Sequence, residues 1–282
     1  MMAFLRVVEV LPPLFPFSRS KGDRLLLRSA MDRFAGEVRA VRDFADVVLV
    51  ANVKDQSLLR VDPVHAAIVL GETAKVDAAP VVVLRGQSRS QFLSTVLTAV
   101  SIGLKWIMIA WGDDHPDGSR SSNARDYTTL ATAIGEAADI RSRAGSKIRI
   151  FAPVQLESLR RGSGVALAKA RLKAGADLLL AQPPTTDAKA AFRDHLALVT
   201  KSGLGSRVLF NVFHFKDDGD VGRYQNMFGW DLPLNLHATA KKGERALIEV
   251  EREVVARARR EGLPGVYVST RGMPQVVKEL LS

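Results

Sequence analysis

Short apolar runs rich in β-branched residues alternate along the chain with longer segments in which apolar residues recur at helical spacing. Such runs predict buried strands, and the segments between them predict helices. The predicted strands cover residues 5–11, 45–53, 81–85, 106–111, 147–154, 177–182, 207–215 and 266–270. The predicted helices cover residues 23–44, 63–75, 90–102, 124–144, 163–174, 186–201 and 244–260.

This alternation predicts a parallel sheet with helices on both faces, which is the α/β class. Eight strands and the helices between them, in 282 residues, match the number and size expected of a single (β/α)8 TIM barrel. A doubly wound open sheet is the alternative, but no G-x-G-x-x-G motif follows the first strand. No Pro-, Gly- or Ser-rich linker divides the chain, so we expect residues 1–282 to form one catalytic barrel domain.

The composition narrows the class of protein further. The chain has no cysteine, which excludes disulfides, zinc–thiolate sites and a cysteine nucleophile. Glu9 interrupts the first apolar run and no small-residue cleavage site follows it, so a signal peptide is not expected. The most apolar long stretch, residues 92–111, contains Ser, Thr, Gly and Lys and is better explained as a helix, a turn and a strand. We therefore expect a soluble, cytoplasmic protein without a membrane partner.

The chain is basic, with a formal net charge of +10. Its basic residues are spread along the sequence with acidic residues between them, which is typical of solvated helix faces. No RNA-binding or zinc-finger motif is present, so we expect no nucleic-acid partner. A positive field also attracts small anions such as dinucleotides or the carboxylates of a folate.

Glu9 is the most informative polar residue at the predicted strand ends, where barrel enzymes carry their chemistry. It lies within the first strand, so it faces either the barrel interior or the helix layer. Burial penalises an ionised carboxyl group and raises its pKa, which suits a general acid at neutral pH. The alternative is a buried structural glutamate paired with a basic residue. The residue pattern alone leaves both interpretations open.

Three further strand ends carry candidate chemistry. Asp113 follows the fourth strand in a loop rich in Asp and Gly, which is also typical of a solvated turn. Its neighbours Asp114 and His115 are directly adjacent in sequence, and because adjacent residues rarely all face one ion, we expect no metal site. Gln182 ends the sixth strand with an amide that can read a heterocycle edge or satisfy loop backbone. Arg271 ends the eighth strand, where it can bind an anion or form a surface ion pair.

Five segments, in order along the chain, resemble the methylenetetrahydrofolate reductase family of (β/α)8 enzymes. Its first strand reads Phe-Glu-Phe-Phe-Pro-Pro, its fourth ends in Arg-Gly-Asp, and Ala-Gly-Ala-Asp precedes a strand ending Thr-Gln. A Cys-Gly-x-x-x-Pro segment follows its seventh strand, and its last strand lies in Gly-x-x-Gly-x-x-Phe-Tyr-Thr-x-Asn-Arg. At residue 111 this sequence has Trp where the family has Arg. The corresponding segments here are residues 8–13, 111–113, 173–182, 228–233 and 262–271, and they include Glu9, Asp113, Gln182 and Arg271. The resemblance spans nearly the whole chain and implies reduction of a methylene-tetrahydrofolate, or a related C1-pterin, to the methyl form.

The resemblance also implies roles for these residues. Glu9 would protonate N10 of the substrate, which opens its five-membered ring to an iminium able to accept hydride. Asp113 would lie beside the pterin and the reducing cofactor. Gln182 would contact the pterin or the nicotinamide, and Arg271 the substrate. NADH or NADPH would supply the electrons.

The sequence departs from the family mainly at the flavin positions. The Tyr-Pro-Glu-x-His motif after the fifth strand is replaced by Ala-Pro-Val-Gln-Leu at residues 152–156. Asn52 stands in the region where the family has Thr, Tyr127 matches a family Tyr after the Gly-Asp loop, and Arg171 replaces a Lys. These three are the candidate cofactor-binding residues. Because polar flavin contacts are lost, we expect the protein to purify without stoichiometric FAD.

A second function fits the same residues. Loss of the flavin positions allows a pterin-binding barrel that no longer reduces its ligand and acts as a methyl-transfer component or a subunit of a larger C1 complex. The expected partner in either case is a tetrahydrofolate-type small molecule. A homo-oligomer or a C1-pathway partner subunit is compatible with the sequence.

Overall fold

The predicted (β/α)8 barrel is confirmed by the structure. The computed structural model describes residues 3–15, 23–52, 59–112, 126–270 and 273–282. The barrel strands in these ranges are β1 (Leu5–Val10), β3 (Val47–Val50), β5 (Ala78–Val83), β6 (Trp106–Ala110), β7 (Arg149–Gln155), β8 (Leu178–Gln182), β9 (Val208–Phe213) and β10 (Gly265–Ser269). All neighbouring strands are parallel, and β10 closes the ring by pairing with β1.

Helices cover the outside of the barrel. They are α1 (Asp23–Arg39), α2 (Pro63–Thr73), α3 (Arg89–Ser101), α4 (Leu130–Arg143), α5 (Gly162–Lys173), α6 (Ala190–Lys201), α7 (Asp218–Phe228), α8 (Leu234–Ala240), α9 (Glu244–Arg260) and α10 (Pro274–Leu281). No helix among the described residues is both long enough and apolar enough to cross a membrane.

Each of the seven predicted helices is present, and the differences lie at their ends. The helix predicted over residues 124–144 begins later, at Leu130, because Thr129 is its N-cap and accepts a hydrogen bond from the Thr132 amide at 3.1 Å. The helix predicted over residues 63–75 has the same kind of start, since Asp62 accepts from the amides of Val64 and His65. An N-cap of this kind defines the first residue of a helix, whereas the spacing of apolar residues locates the helix without defining its first residue.

Among the described residues, three α-helices and a small ribbon were not predicted. The helices are α7, α8 and α10, and the ribbon pairs β2 (Leu14–Phe15) antiparallel with β4 (Leu59–Arg60). Two glycines weaken the helical pattern of α7, although Asp217 caps it by accepting from the Asp220 amide at 2.8 Å. The ribbon, α7 and α8 are additions to the repeating strand–helix pattern, whereas α10 follows the last barrel strand as the eighth helix of that pattern.

Alternation along β1 determines which way Glu9 points. Val7 packs in the barrel interior, whereas Val8 and Val10 pack against the helices. Because successive side chains of a strand point to opposite faces, Glu9 projects into the interior. Below it the barrel is filled by apolar side chains, including Trp106 stacked on Phe151 with ring centroids 4.5 Å apart.

Candidate functional site

A cavity of about 290 Å³ opens at the carboxyl ends of the barrel strands. Every barrel strand, or the residue directly after it, contributes to its wall. The lining side chains are those of Glu9, Ala51, Asn52, Val81, Val83, Met108, Ala110, Trp111, Gly112, Pro153, Gln155, Gln182, Asn211, Phe213, Phe228, Trp230 and Tyr267. The wall is therefore mostly apolar with a small number of polar groups, which is typical of small-molecule sites.

Glu9 is half-buried in this wall and is held by two hydroxyl groups of β10. Ser269 Oγ donates to Glu9 Oε1 at 2.8 Å, and the Tyr267 hydroxyl donates to Glu9 Oε2. Burial, followed by the nearby charge of Glu9, raises the pKa of Tyr267 well above its ordinary value, so this phenol keeps its proton. A carboxyl and a neutral phenol thus share a hydrogen bond at the edge of the cavity.

The two hydroxyl donors to Glu9 act in the opposite direction to burial. Burial disfavours an ionised carboxyl, but hydrogen bonds donated to a carboxylate favour it. The Tyr267–Glu9 pair therefore contains two groups able to carry a proton, and both reach the same cavity.

Three side-chain amides line the part of the cavity formed by β7, β8 and β9. Gln155 and Gln182 are paired in register on adjacent strands. Asn211 lies on the next strand and is only 1% exposed. Asn211 is paired in register with Tyr267, which continues the polar row to Glu9. Asn211 lies within an apolar run and therefore does not stand out in the sequence, although a polar residue at an inward-facing strand position is a usable signal.

Aromatic rings form one side of the cavity. Phe228 and Trp230 have ring centroids 4.5 Å apart, and Phe213 meets Trp230 edge-to-face at 5.4 Å. Gly229 between them has a left-handed φ of 63°, which ends α7 and directs the chain back across the cavity. Phe228 is 41% exposed, so this wall remains open to a flat ligand.

A second cavity, of about 370 Å³, adjoins the first and shares Trp111, Pro153 and Gln155 with it. Its wall includes Arg171 and the residues that begin α4, among them Thr128 and Thr129. Burial lowers the pKa of the Arg171 guanidinium below its ordinary value, and its Nη1 donates to the Pro153 carbonyl. A cation, two hydroxyl groups and a helix N-terminus form a donor set suited to phosphate.

The predicted site residues are partly brought together. Glu9, Gln182 and Asn52 line the first cavity, and Arg171 lines the second. Tyr127 lines neither, because it is buried, packs edge-to-face on Phe92 and donates to Glu136 Oε2 at 2.5 Å.

Two predicted site residues, Asp113 and Arg271, lie outside the described residues. The adjacent Asp114 and His115 do so as well. Within the described ranges, no three His, Asp or Glu side chains are grouped so that they could hold a metal ion.

A second polar cluster lies beside the cavity, where β9 meets α9. The fully buried His214 contacts Glu251 Oε2 through Nδ1 at 2.8 Å and Glu244 Oε1 through Nε2 at 3.1 Å. Burial opposes protonation of His214, but these two carboxylates outweigh it and raise its pKa. The His214 amide also donates to the Ser269 carbonyl at 2.9 Å. Because the Ser269 hydroxyl donates to Glu9, Ser269 links this cluster to the Glu9 site.

The fold and the site together define a (β/α)8 barrel with a polar and aromatic cavity at the carboxyl ends of its strands. Neither a protein-family model nor a curated protein sequence matches the chain. Solved structures do match it over nearly its full length.

An uncharacterized protein from Clostridium thermocellum, which binds two copies of 5-methyl-5,6,7,8-tetrahydrofolic acid, superposes with a TM-score of 0.67 at 10% identity over 99% of this chain and 95% of its own. The PgaB (BpsB) glycoside hydrolase domain from Bordetella bronchiseptica gives a TM-score of 0.57 at 10% identity over 99% of both chains. DmoA from Hyphomicrobium sulfonivorans gives a TM-score of 0.57 at 10% identity over 100% of this chain and 86% of its own. At this identity the likeness shows a common fold.

Proposed function

We propose that the chain binds a tetrahydrofolate-type pterin in the first cavity and reduces its methylene form to the methyl form, as methylenetetrahydrofolate reductases do. The observation that carries the proposal is the meeting of Glu9 and Gln182 in one cavity at the carboxyl ends of the strands. The resemblance to that family requires these two residues to share a site. The Clostridium thermocellum neighbour, which binds a methylated tetrahydrofolate on the same fold, supports the choice of ligand.

The chemistry requires one proton and one hydride. Protonation of N10 breaks the bond between N10 and the methylene carbon and leaves an iminium at N5. Hydride from NADH or NADPH then adds to that carbon, giving the methyl group and the oxidised nicotinamide. Glu9, hydrogen-bonded to the neutral Tyr267, is the group we assign to hold and deliver the proton.

The remaining walls suit the parts of such a ligand. A pterin is flat and apolar on its faces, which matches the Phe228 and Trp230 rings. Its edge carries donors and acceptors, which matches the amides of Gln155 and Gln182. The second cavity, with Arg171 and the start of α4, would hold the phosphates of a dinucleotide.

The described residues fit a flavin poorly. Ala152 and Leu156, which replace two polar residues of the family's flavin motif, are fully buried in the strand–helix core. The Tyr127 hydroxyl already donates a hydrogen bond to Glu136. Only Arg171 and Asn52 of the candidate cofactor residues face a cavity. We therefore assign the hydride directly to a nicotinamide and expect the purified protein to lack the visible absorbance of one equivalent of FAD.

The test is NADH or NADPH oxidation followed at 340 nm on addition of methylene-tetrahydrofolate, with the visible spectrum of the same preparation recorded first. We expect substrate-dependent oxidation by a colourless protein, with methyl-tetrahydrofolate as the product. A yellow preparation with stoichiometric flavin would reverse the cofactor assignment alone. Binding of methyl-tetrahydrofolate without any oxidation of either nicotinamide would contradict reduction.

That last outcome is the signature of the second candidate function, a pterin-binding barrel that transfers or carries a methyl group without reducing it. One observation favours it: two hydroxyl groups donate to Glu9, and such bonds favour the carboxylate over the protonated acid. A permanently ionised Glu9 would orient the ligand without supplying a proton.

A further inference from the structure

The side-chain oxygen of Asn211 is buried and has no hydrogen-bond partner among the described residues. Asn211 is 1% exposed, and its Oδ1 contacts no donor within the described part of the chain. The hydrogen bonds found for Asn211 in these ranges involve its backbone, including the Thr185 amide, which donates to its carbonyl at 2.8 Å. An amide removed from water and left unpaired destabilises the free protein.

The position of this amide indicates what its partner is. Asn211 lies in the wall of the first cavity, level with Tyr267 on the adjacent strand and between the strands that carry Gln182 and Glu9. Its backbone is fixed by the parallel ladder on one side and by Thr185 on the other. A buried polar group held rigidly at a cavity wall gains its hydrogen bonds when a ligand fills the cavity.

We propose that Asn211 determines specificity by reading the hydrogen-bonding edge of the ligand's heterocycle. This inference rests on the proposed pterin site and adds the residue that selects the ring. An amide offers one acceptor and one donor group, so it pairs with a ring that presents both, such as the amino-oxo edge of a pterin. Because its oxygen has no partner among the described residues, that oxygen is available to accept a hydrogen bond from the ring's amino group, while the amide nitrogen is the donor for the ring's oxo group.

The test compares the wild type with Asn211→Leu, which keeps the size of the side chain and removes the amide. The probes are 5-methyl-tetrahydrofolate, a tetrahydropterin that has only the heterocycle, and p-aminobenzoyl-glutamate, which has only the tail. We expect the dissociation constants of the first two to rise about 10- to 100-fold, as for a lost buried hydrogen bond, and that of the tail to stay unchanged. The melting temperature of the unliganded variant should stay equal or rise, because the unpaired amide is gone.

Asn235→Leu is the matched control, since Asn235 is exposed on α8 and outside the cavity. If Asn211→Leu does not fold, Asn211→Ala gives the same comparison without added bulk. Unchanged affinity for the tetrahydropterin, or equal losses for heterocycle and tail, would overturn the role of Asn211 and leave the proposed function standing. Failure of the wild type to bind 5-methyl-tetrahydrofolate would overturn the proposed function and this inference with it.

Discussion

Of all the residues in the cavity, Glu9 is the one on which the proposed reduction depends most, because its carboxyl group is assigned to supply the proton. Glu9→Gln keeps the size of the side chain and its ability to accept a hydrogen bond from Ser269, but it cannot supply a proton. Positioned acid catalysis is worth roughly 10²–10⁴ in rate, so we expect turnover to fall by that factor while methyl-tetrahydrofolate binding is retained. Steady-state kinetics and calorimetric binding measure the two quantities separately.

Glu253→Gln on the exposed face of α9 is the control for this substitution. Tyr267→Phe separates the two members of the proton-carrying pair. A large loss in Tyr267→Phe together with near-normal turnover in Glu9→Gln would transfer the proton-donating role to the phenol. Normal turnover in both variants would contradict acid catalysis by this pair.

A residue lining the cavity could be predicted from the sequence or not according to its position along its strand. Gln182 and Asn52 stand at strand ends, where a polar residue after an apolar run is conspicuous, and both line the cavity. Tyr267 and Asn211 lie within apolar runs and resemble core residues until the barrel defines which positions face inward. Contacts made across strands, such as that between Tyr267 and Glu9, have no signal in one sequence because register is set by closure of the whole sheet.

At the scale of elements, the contact between His214, directly after β9, and Glu251 on α9 makes the stability of the fold depend on pH. Burial opposes protonation of His214, but the carboxylates of Glu251 and Glu244 raise its pKa above the ordinary value, so the folded protein binds this proton more tightly than the unfolded chain does. The stabilisation is therefore fully present below pH 6.5 and is lost as pH rises through the folded pKa of His214. We expect the free energy of unfolding, measured by urea titration, to decline as the pH rises above about 6.5.

Replacing both groups by glutamine, His214→Gln with Glu251→Gln, removes the titrating protons and keeps an amide–amide hydrogen bond. We expect this double variant to lose the decline over that pH range. His65→Gln, on the exposed surface of α2, should retain it. An equal decline in the double variant would mean that other groups are responsible.

The junction of β10 with β1 depends on one glycine. A Cβ atom on Gly265 would lie 2.0 Å from the Leu5 carbonyl oxygen, so any side chain forces the two strands apart. We expect Gly265→Ala to lower the free energy of unfolding by about 3 kcal/mol or more, measured by urea denaturation.

Gly135→Ala within α4 is the comparison, because a Cβ there meets nothing within 4 Å. Alanine is the better helix former, so this variant should gain about 0.5–1 kcal/mol. Similar effects of the two substitutions would contradict the close-approach argument at Gly265.

For the whole molecule, the alternation of strands and helices was enough to predict the barrel, because eight repeats of one local pattern allow few architectures. The departures from the repeat were not predictable in the same way. The helices α7 and α8 follow β9 where the pattern predicts a single connection, and the turn at Gly229 between them carries the aromatic wall of the cavity. Such insertions follow from local capping and tertiary packing, which apolar spacing does not encode.

The hydrogen bonds from Tyr267 and Ser269 to Glu9 join the last barrel strand to the first. The proposed acid and its two hydroxyl donors thus come from segments about 260 positions apart in the chain, where the ring of strands closes. A chain still emerging from the ribosome would therefore lack the proposed site until β10 has been released. Separation of β10 from β1 would likewise take both hydroxyl donors away from Glu9.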